Sequence, residues 1–446
     1  LLFLYISPIF AIDFGKYSSM EKLMQYVWQH RLFNPSGLKT VDGRSLTIIN
    51  PGQLNTDAGP DFFNATIEID RQKWVGNIEI HVRASDWFRH KHDRDRAYDN
   101  VILHVVDNDD MIIKRADGSP IPQMQLSCSP TLNADYHHLT DTSPAQLSCA
   151  DAISQIPKVF ITDWIDALAY ERIQQKSDRI DTLVKNSAGD WEQASYITVA
   201  RSLGFSTNSD PFERLARATP IRFLRKHSDS IITLEAFLFG QAGLLEKISS
   251  TDSYASGLAR EYKFLVNKFG LRRPDFLGWK MSKMRPQNFP YRRIALLAQM
   301  IFDGYSIMSK IAAIQSIDDA RKIFNHKLTG YWVNHYTFSG QTIPYDINLS
   351  RASIDLLIIN AAVPLLYSYS IAHGDLDRAE FAVELLHQLK PESNSMITMF
   401  ANNGIKSPDA FTSQALIQLR REYCEKRKCL FCRIGHRHLA RCAIRK

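Results

Sequence analysis

The sequence predicts an α/β module followed by a larger all-α domain, and three observations carry that expectation. Short apolar runs of β type, separated by turn residues, are confined to the stretch before about Leu126. A stretch rich in Ser, Pro, Thr and Asp follows, over 127–155. After Pro157 nearly every apolar pattern has the helical period. At 446 residues the chain has room for two or three domains and a sizeable core. Its composition, 45% hydrophobic and 23% charged, excludes bulk disorder, a collagen-like repeat and a disulfide miniprotein.

The elements follow in order. Residues 20–33 place Leu23, Tyr26, Val27 and Trp28 near one helical face. The β-type runs are 46–50, 63–69, 74–82 and 101–107, broken by Asn50-Pro51-Gly52 and Ala58-Gly59-Pro60. A polar stretch at 85–99 offers a short helix between the third and fourth runs, so the module reads α-β-β-β-α-β. Later helices are expected over 159–185, 190–203, 232–247, 290–314, 350–371 and 376–389, with a short one around Phe212, Leu215 and Ala216 capped at Asn208–Asp210. Asn288-Phe289-Pro290 reads as another cap with proline in the first turn. The division is therefore an extension at 1–19, an α/β module at 20–130, a linker at 131–156, a helical domain at 157–419 and a basic cysteine-rich tail at 420–446.

No run reaches the roughly 18 consecutive apolar residues that span a bilayer, so no membrane partner is expected. The apolar start, Leu1 to Ile12, lacks a basic leader and a small-residue cleavage site. Residues 1–19 therefore read as an extension ahead of Met20, and the expected compartment is the cytoplasm. The net charge of +7 is unevenly placed: Arg420 to Lys446 holds ten Lys/Arg against two Glu, a net of +8, which leaves about −1 for the rest. Salt-sensitive contact with a nucleic-acid backbone, DNA or RNA, is therefore expected of the tail alone.

The chemistry concentrates between Gly59 and His104. Period two in 74–82 puts Trp74, Gly76, Ile78, Ile80 and Val82 on one face and Val75, Asn77, Glu79 and His81 on the other. A hairpin at Asp70–Lys73 runs the two strands antiparallel and brings Asp61, which precedes the first, near Glu79 toward the end of the second. An Asp and a Glu converging there make a hard-oxygen site for Mg²⁺ or Mn²⁺, and His81 alongside can orient or deprotonate a water. His90, His92, Asp95, Asp99 and His104 are further candidates. If 88–99 is helical, His92 and Asp95 share a face, with Asp99 one turn on. A Zn²⁺ site of Glu79, His81, His90 and His92 is the rival chemistry, without any H-E-x-x-H spacing behind it.

Pro60-Asp61 before one strand and Glu79-Ile80-His81 on the next resemble the PD-(D/E)XK nucleases, whose core is a similar α-β-β-β-α-β unit. The resemblance implies metal-dependent hydrolysis of nucleic-acid phosphodiester bonds, with Asp61 and Glu79 on the metal and His81 where those enzymes carry Lys. That replacement also allows a non-catalytic nucleic-acid-binding or assembly protein on the same fold. A longer resemblance runs nearly the full chain from Met20. Asn55-Thr56-Asp57-Ala58-Gly59-Pro60-Asp61-Phe62, Gly76-Asn77-Ile78-Glu79-Ile80-His81, Tyr98-Asp99-Asn100-Val101-Ile102-Leu103-His104 and Cys429-Leu430-Phe431-Cys432-Arg433-Ile434-Gly435 are similar to the uncharacterised bacterial family called domain of unknown function 2851, which implies no activity.

Of six cysteines, Cys128 and Cys149 stand alone, whereas Cys424, Cys429, Cys432 and Cys442 fall within the last 23 residues. The C-x2-C pair chelates well, because two intervening residues let both sulfurs face one ion. Cys442, His436 or His438 can supply the fourth ligand, and Zn²⁺ is the simplest occupant. The nuclease resemblance implies an iron–sulfur alternative, since some nucleases of that kind hold a cluster with four cysteines. Two other spots invite weighing. Arg285, Asn288, Arg292 and Arg293 form a basic helix start that can meet a phosphate or merely cap a helix. Tyr331, Trp332, His335, Tyr336 and Phe338 can stack bases or pack between helices. No phosphate loop and no dinucleotide fingerprint is present.

Overall fold

A computed structural model describes residues 14–55, 57–115, 117–141, 146–246, 252–274, 277–282, 284–285, 288–304, 306–341 and 348–444, with side chains from Met20 to Arg441 except at Gln341. The chain divides into two units, Leu1–Trp164 with Arg420–Lys446, and Ile165–Leu419. The first is a mixed sheet with a few helices, and the second is a larger helical unit.

In the first unit, α1 (Phe14–Gln29) precedes β1 (Leu46–Asn50), β2 (Gln53–Leu54), β3 (Phe62–Ile69) and β4 (Gln72–Arg83). After the short α2 (Asp86–Arg89) come β5 (Val101–Asn108), β6 (Gln123–Gln125), α3 (Pro130–Asp141), α4 (Ala150–Ile153) and α5 (Lys158–Asn186), which crosses the division between the units. The sheet order is β1-β3-β4-β5-β6, with β2 also on β3. β3 is antiparallel to β1 and β4, whereas β4 and β5 run parallel, as do β5 and β6. The four strands expected from apolar patterning are all present; β2 and β6, two and three residues long, are too short to leave a periodic signal. The 131–156 stretch, expected as a linker, carries α3 and α4, and Leu132, Tyr136 and Leu139 of α3 join the sheet's core. Residues 1–13, within the expected extension, lie outside the described residues.

Two cores flank the sheet. Leu23, Met24, Val27 and Trp28 of α1 pack on Phe62, Ala65, Ile67, Ile78, Ile80, Leu103 and Val105. Burying side chains of this size contributes about 1.5–3 kcal/mol each, so α1 is held by its apolar stripe rather than by propensity. A smaller core gathers Ala84, Trp87, Tyr98, Val101, Val106, Ile113 and Ile121. Val105 and Val106 belong to different cores, as alternation along β5 requires. Between these layers β3 carries an irregularity at Phe62–Ala65, where Asn64 takes a left-handed φ of 56°. The bulge lies next to Asp61, as bulges beside functional groups commonly do.

In the helical unit the expected helices appear with two breaks. The 290–314 segment divides into Pro290–Phe302 and Ile307–Ala312. The stretch Arg351–Ala372 is continuous but widens into a π turn at Ile358–Ala362, just ahead of Pro364, whose missing N–H interrupts the regular ladder. It is long and apolar enough to cross a membrane, yet 72% of its most apolar window is buried. Helices at Ser253–Phe269, Ile317–Phe324, Ser395–Asn402 and Ala410–Gln418 were not anticipated, and a small hairpin, His335–Thr337 with Gly340–Gln341, qualifies the all-α expectation. Asn208 does not cap through its side chain; its amide clasps both the N–H and the carbonyl of Lys280, each at 2.9 Å. Trp332 is buried and stacks on Phe239 with centroids 5.0 Å apart, so the aromatic cluster packs helices together. Arg292 and Arg293 are buried rather than displayed; Arg293 donates to Asn288 Oδ1 at 2.6 Å.

Gly76 sits where β4 meets the chain entering β5. A Cβ there would lie 2.6 Å from the Asn100 carbonyl oxygen, a backbone atom that cannot swing aside. Gly76→Ala should therefore cost about 1–3 kcal/mol by overpacking, seen as a lowered unfolding midpoint in urea. Val75→Ala, at an exposed neighbour, should stay within about 0.5 kcal/mol of the wild type.

Candidate metal centre

Strand β4 supplies the first two groups. Glu79 and His81 share a face by period two, as expected, but both are buried rather than solvated. The cover comes from the crossover between β4 and β5. That segment is not one helix over 88–99: it is α2, then a left-handed Lys91 (φ 64°), then single turns at His92–Arg94 and Arg96–Tyr98. The left-handed residue turns the chain back, so His90 and His92 both fold over β4. Asp95 and Asp99 consequently leave the site. Both are exposed, and Asp95 caps its own turn by accepting from Ala97 N–H at 2.9 Å. His104, which faces Glu79 across the parallel pair, completes the cluster from β5.

The geometry is specific. His81 Nδ1 lies 2.8 Å from His104 Nε2, and His81 Nε2 lies 3.1 Å from His90 Nδ1. Glu79 Oε1 is 3.2 Å from His92 Nε2 and 3.5 Å from His81 Nε2. Ring nitrogens of His81, His90 and His92 all fall within 4.8 Å of one another, the spacing of ligands around one ion. His92 Nε2 is buried and, despite its closeness to Glu79, makes no well-aligned hydrogen bond. Trp87 and Tyr98 close the site from above, with Tyr98 stacked on His92 at 3.8 Å between centroids.

Asp61, expected as a metal ligand beside Glu79, has both carboxylate oxygens engaged by protein donors. Its Oδ2 accepts from Ile80 N–H at 3.0 Å and its Oδ1 accepts from Gln25 Nε2 at 2.9 Å. Its own N–H donates to Glu79 Oε2 at 3.1 Å. Asp61 thus fastens the start of β3 to β4 and to α1, and leaves Glu79 Oε1 turned toward the histidines. Glu21, four residues before Gln25, brings a third acid to the same end of the sheet. Sequence reasoning missed Glu21 and Gln25. Their i, i+4 spacing on the polar side of α1 is a signal, but nothing in the sequence says which sheet edge that side meets.

Electrostatics sharpen the picture. Burial, reinforced by Asp61 and Asp86, raises Glu21 to about 7. Burial and the Glu79 charge raise Asp61 to about 7. Burial raises Glu79 to about 8 against the opposing hydrogen bond from Asp61 N–H. Burial holds His81 well below the ordinary histidine range, lowers His90 and His92, and takes His104 to about 3. Three acids crowded out of water and four neutral imidazoles form a site whose charge conflict a divalent cation would relieve. Neutral imidazole and carboxylate are also the protonation states that ligate metal.

In the C-terminal segment, Cys424 ends a π turn (Leu419–Cys424), Cys429 opens a turn (Cys429–Phe431), and Cys432 directly precedes the helix Arg433–Ile444. The Cys442 side chain lies outside the described residues. His436 Nδ1 meets Tyr26 Oη of α1, while His438 has Asp135 and His138 of α3 as neighbours. Much of the tail's charge is spent locally. Arg427 donates to the Thr140 carbonyl, Arg433 pairs with Asp163, Arg441 donates to the Gln155 carbonyl, and Arg437 lies over the Phe160 ring at 3.6 Å.

Residues 21–395 match the family described as protein of unknown function (DUF2851). No curated protein and no solved structure matches the chain.

The metal-free site has a pH signature. Glu21, Asp61 and Glu79 bind protons more tightly folded than unfolded, so their contribution to stability falls as pH rises from about 4.5 through about 8. The histidines, lowered from 6.5, contribute stability that is lost as pH falls below that value. Between pH 6.5 and 8 the histidine contribution tapers off while the three carboxylates, with Glu235 of the helical unit raised to about 7 as well, titrate in full, and the metal-free unfolding midpoint should fall across that window. Added Mn²⁺ or Zn²⁺ should reduce the fall. A metal-free midpoint that rises across the same window, followed by calorimetry, contradicts this account.

Proposed function

The chain belongs to the DUF2851 family, and we propose that it is a metal-dependent hydrolase of nucleic-acid phosphodiester bonds, with its ion held by Glu79, His81, His90 and His92. The observation that carries this reading is the convergence of three imidazoles within 4.8 Å, with Glu79 Oε1 alongside two of them. Three nitrogens and one carboxylate suit Mn²⁺, Zn²⁺ or Fe²⁺ better than Mg²⁺, which prefers an all-oxygen octahedron. When bound, such an ion supplies a Lewis acid and a water acidic enough to attack at neutral pH. The chain's own residues do the remaining work. His104 orients His81 through its Nδ1; the Asp61 carboxylate, which accepts from Ile80 N–H and Gln25 Nε2, fixes the start of β3 so that its backbone N–H holds Glu79; and Trp87 and Tyr98 limit access of bulk water.

The nucleic-acid substrate rests on the PD-(D/E)XK-like layout. Pro60-Asp61 leads into a strand antiparallel to β4, and Glu79-Ile80-His81 sits where β4 pairs in parallel with β5. Phe431, Arg421 and Lys428 of the same segment are exposed and suit a phosphate backbone. One observation favours a second reading, a non-catalytic nucleic-acid-binding or assembly protein. Burial keeps His81 neutral where the resembled nucleases carry a permanent cation.

The purified protein should cleave some single- or double-stranded DNA or RNA with Mn²⁺ or Zn²⁺. Asp61→Ala and Glu79→Ala should each abolish cleavage. His104→Ala, which removes a positioning residue, should lower metal affinity or rate by about 10–100-fold. Cleavage that survives both carboxylate substitutions overturns the assignment, and metal binding without cleavage of any substrate favours the second reading.

A further inference from the structure

The C-terminal cysteines acquire a fourth companion from an unexpected place. Cys149 stands just ahead of α4, close enough to the sulfurs of Cys432, Cys424 and Cys429 to interact with them electrostatically. Cys424 in turn neighbours Cys432 and Cys429. The contacts around them explain the gathering. Arg420 donates to the Gln146 carbonyl at 3.5 Å, Arg427 to the Thr140 carbonyl, and Arg441 to the Gln155 carbonyl. Cys429 Sγ lies 3.7 Å from the Leu139 carbonyl, and both Cys149 and Cys429 pack against the sheet's main core. The segment 420–441 is thereby laced onto 139–155.

We propose that Cys149, Cys424, Cys429 and Cys432 ligate a four-iron iron–sulfur cluster that pins the C-terminal segment onto α3 and α4. This inference is independent of the hydrolase reading.

Spacing separates a cluster from a single ion. Four thiolates on one Zn²⁺, at bonds of about 2.3 Å, sit about 3.8 Å apart. Among the described residues no three of these sulfurs come within 4.8 Å of one another, whereas the histidine site does. The cysteine pocket is therefore wider than one ion requires, as a polynuclear centre needs. The four cysteines are unpaired, so no disulfide accounts for their gathering.

The surroundings also suit an anionic centre. Backbone N–H groups of Ile434 and Gly435, at the start of the helix Arg433–Ile444, reach the Cys432 sulfur. Arg420 lies by Cys424 and Arg427 by Cys429. Gly435 is required for the tight return: a Cβ there would run into the Cys429 carbonyl oxygen. Without a metal, burial keeps these thiols protonated, with Cys424 pushed up to about 12 and Cys429 to about 11. Four inert thiols facing one another would offer no benefit of their own, whereas a metal centre converts them to ligands. The cluster would join positions that the whole helical unit separates in sequence, the kind of long-range closure that a cross-link stabilises most.

The full chain, purified without oxygen, should contain about four iron and four acid-labile sulfide per molecule, with a broad visible absorption that dithionite bleaches. Cys149→Ala should lose the iron, and Cys442→Ala should retain it. A colourless protein with four titratable thiols overturns the proposal, and so does one equivalent of zinc without iron. Loss of the cluster in Cys442→Ala, or its retention in a folded Cys149→Ala, overturns the ligand assignment. Iron and sulfide in the wild-type chain decide the cluster even if Cys149→Ala fails to fold.

Discussion

The parallel pairing of β4 with β5 is the constraint on which the N-terminal unit turns. Antiparallel neighbours need only a two-residue turn, but a parallel pair obliges the chain to travel back across the sheet before it can pair again. Here the return runs from Ala84 to Asn100. It is too short for a long covering helix, and it crosses as three single turns with a left-handed residue at Lys91. The detour drops His90 and His92 onto Glu79 and His81, while Trp87 and Tyr98 seal the layer against Val101 and Val106. The same pairing aligns His104 with Glu79. A site built this way owes its geometry to sheet register rather than to flexible loops.

That register carries an electrostatic cost. Glu79, His81 and His104 are almost entirely withdrawn from water, and no Lys or Arg in direct ion pairing with Glu79 or Asp61 compensates the acids among the described residues. Burying a carboxylate without a partner is expensive, and the usual outcome is that it neutralises by taking up a proton. The raised Glu21, Asp61 and Glu79 follow that rule, and the lowered histidines are its mirror image. Structural cores avoid such groups because apolar residues of the same volume are no worse. Here they meet at the junction of three segments, and two imidazole nitrogens among them, His92 Nε2 and His104 Nδ1, are buried without a hydrogen bond.

How much of this is legible in the sequence depends on the range of the interaction. Period-two alternation places Glu79 and His81 side by side, and the turn at Asp70 brings Asp61 to them, because both relations are local to one hairpin. The strands β1, β3, β4 and β5 are visible for the same reason. Asp95 and Asp99 fail because helical spacing was assumed for residues 88–99, where Lys91 reverses the chain. Glu21, Gln25 and Cys149 are invisible because their neighbours are set by the docking of α1 and of the C-terminal segment on the sheet, which no local pattern encodes. Arg292 and Arg293 show the converse. Two adjacent arginines at a helix start look like surface charge, yet Asn288 and the rings of Tyr336 and Phe205 receive them inside the helical unit.

The central claim is that one ion belongs among Glu79, His81, His90 and His92, and anomalous diffraction from crystals grown with Mn²⁺ or Zn²⁺ tests it most directly. The account predicts an anomalous peak bounded by Glu79 Oε1 and ring nitrogens of the three histidines, with Asp61 still bonded to Ile80 and Gln25. A well-ordered site with no peak there, or metal found instead on the exposed Asp95 and Asp99, would contradict it.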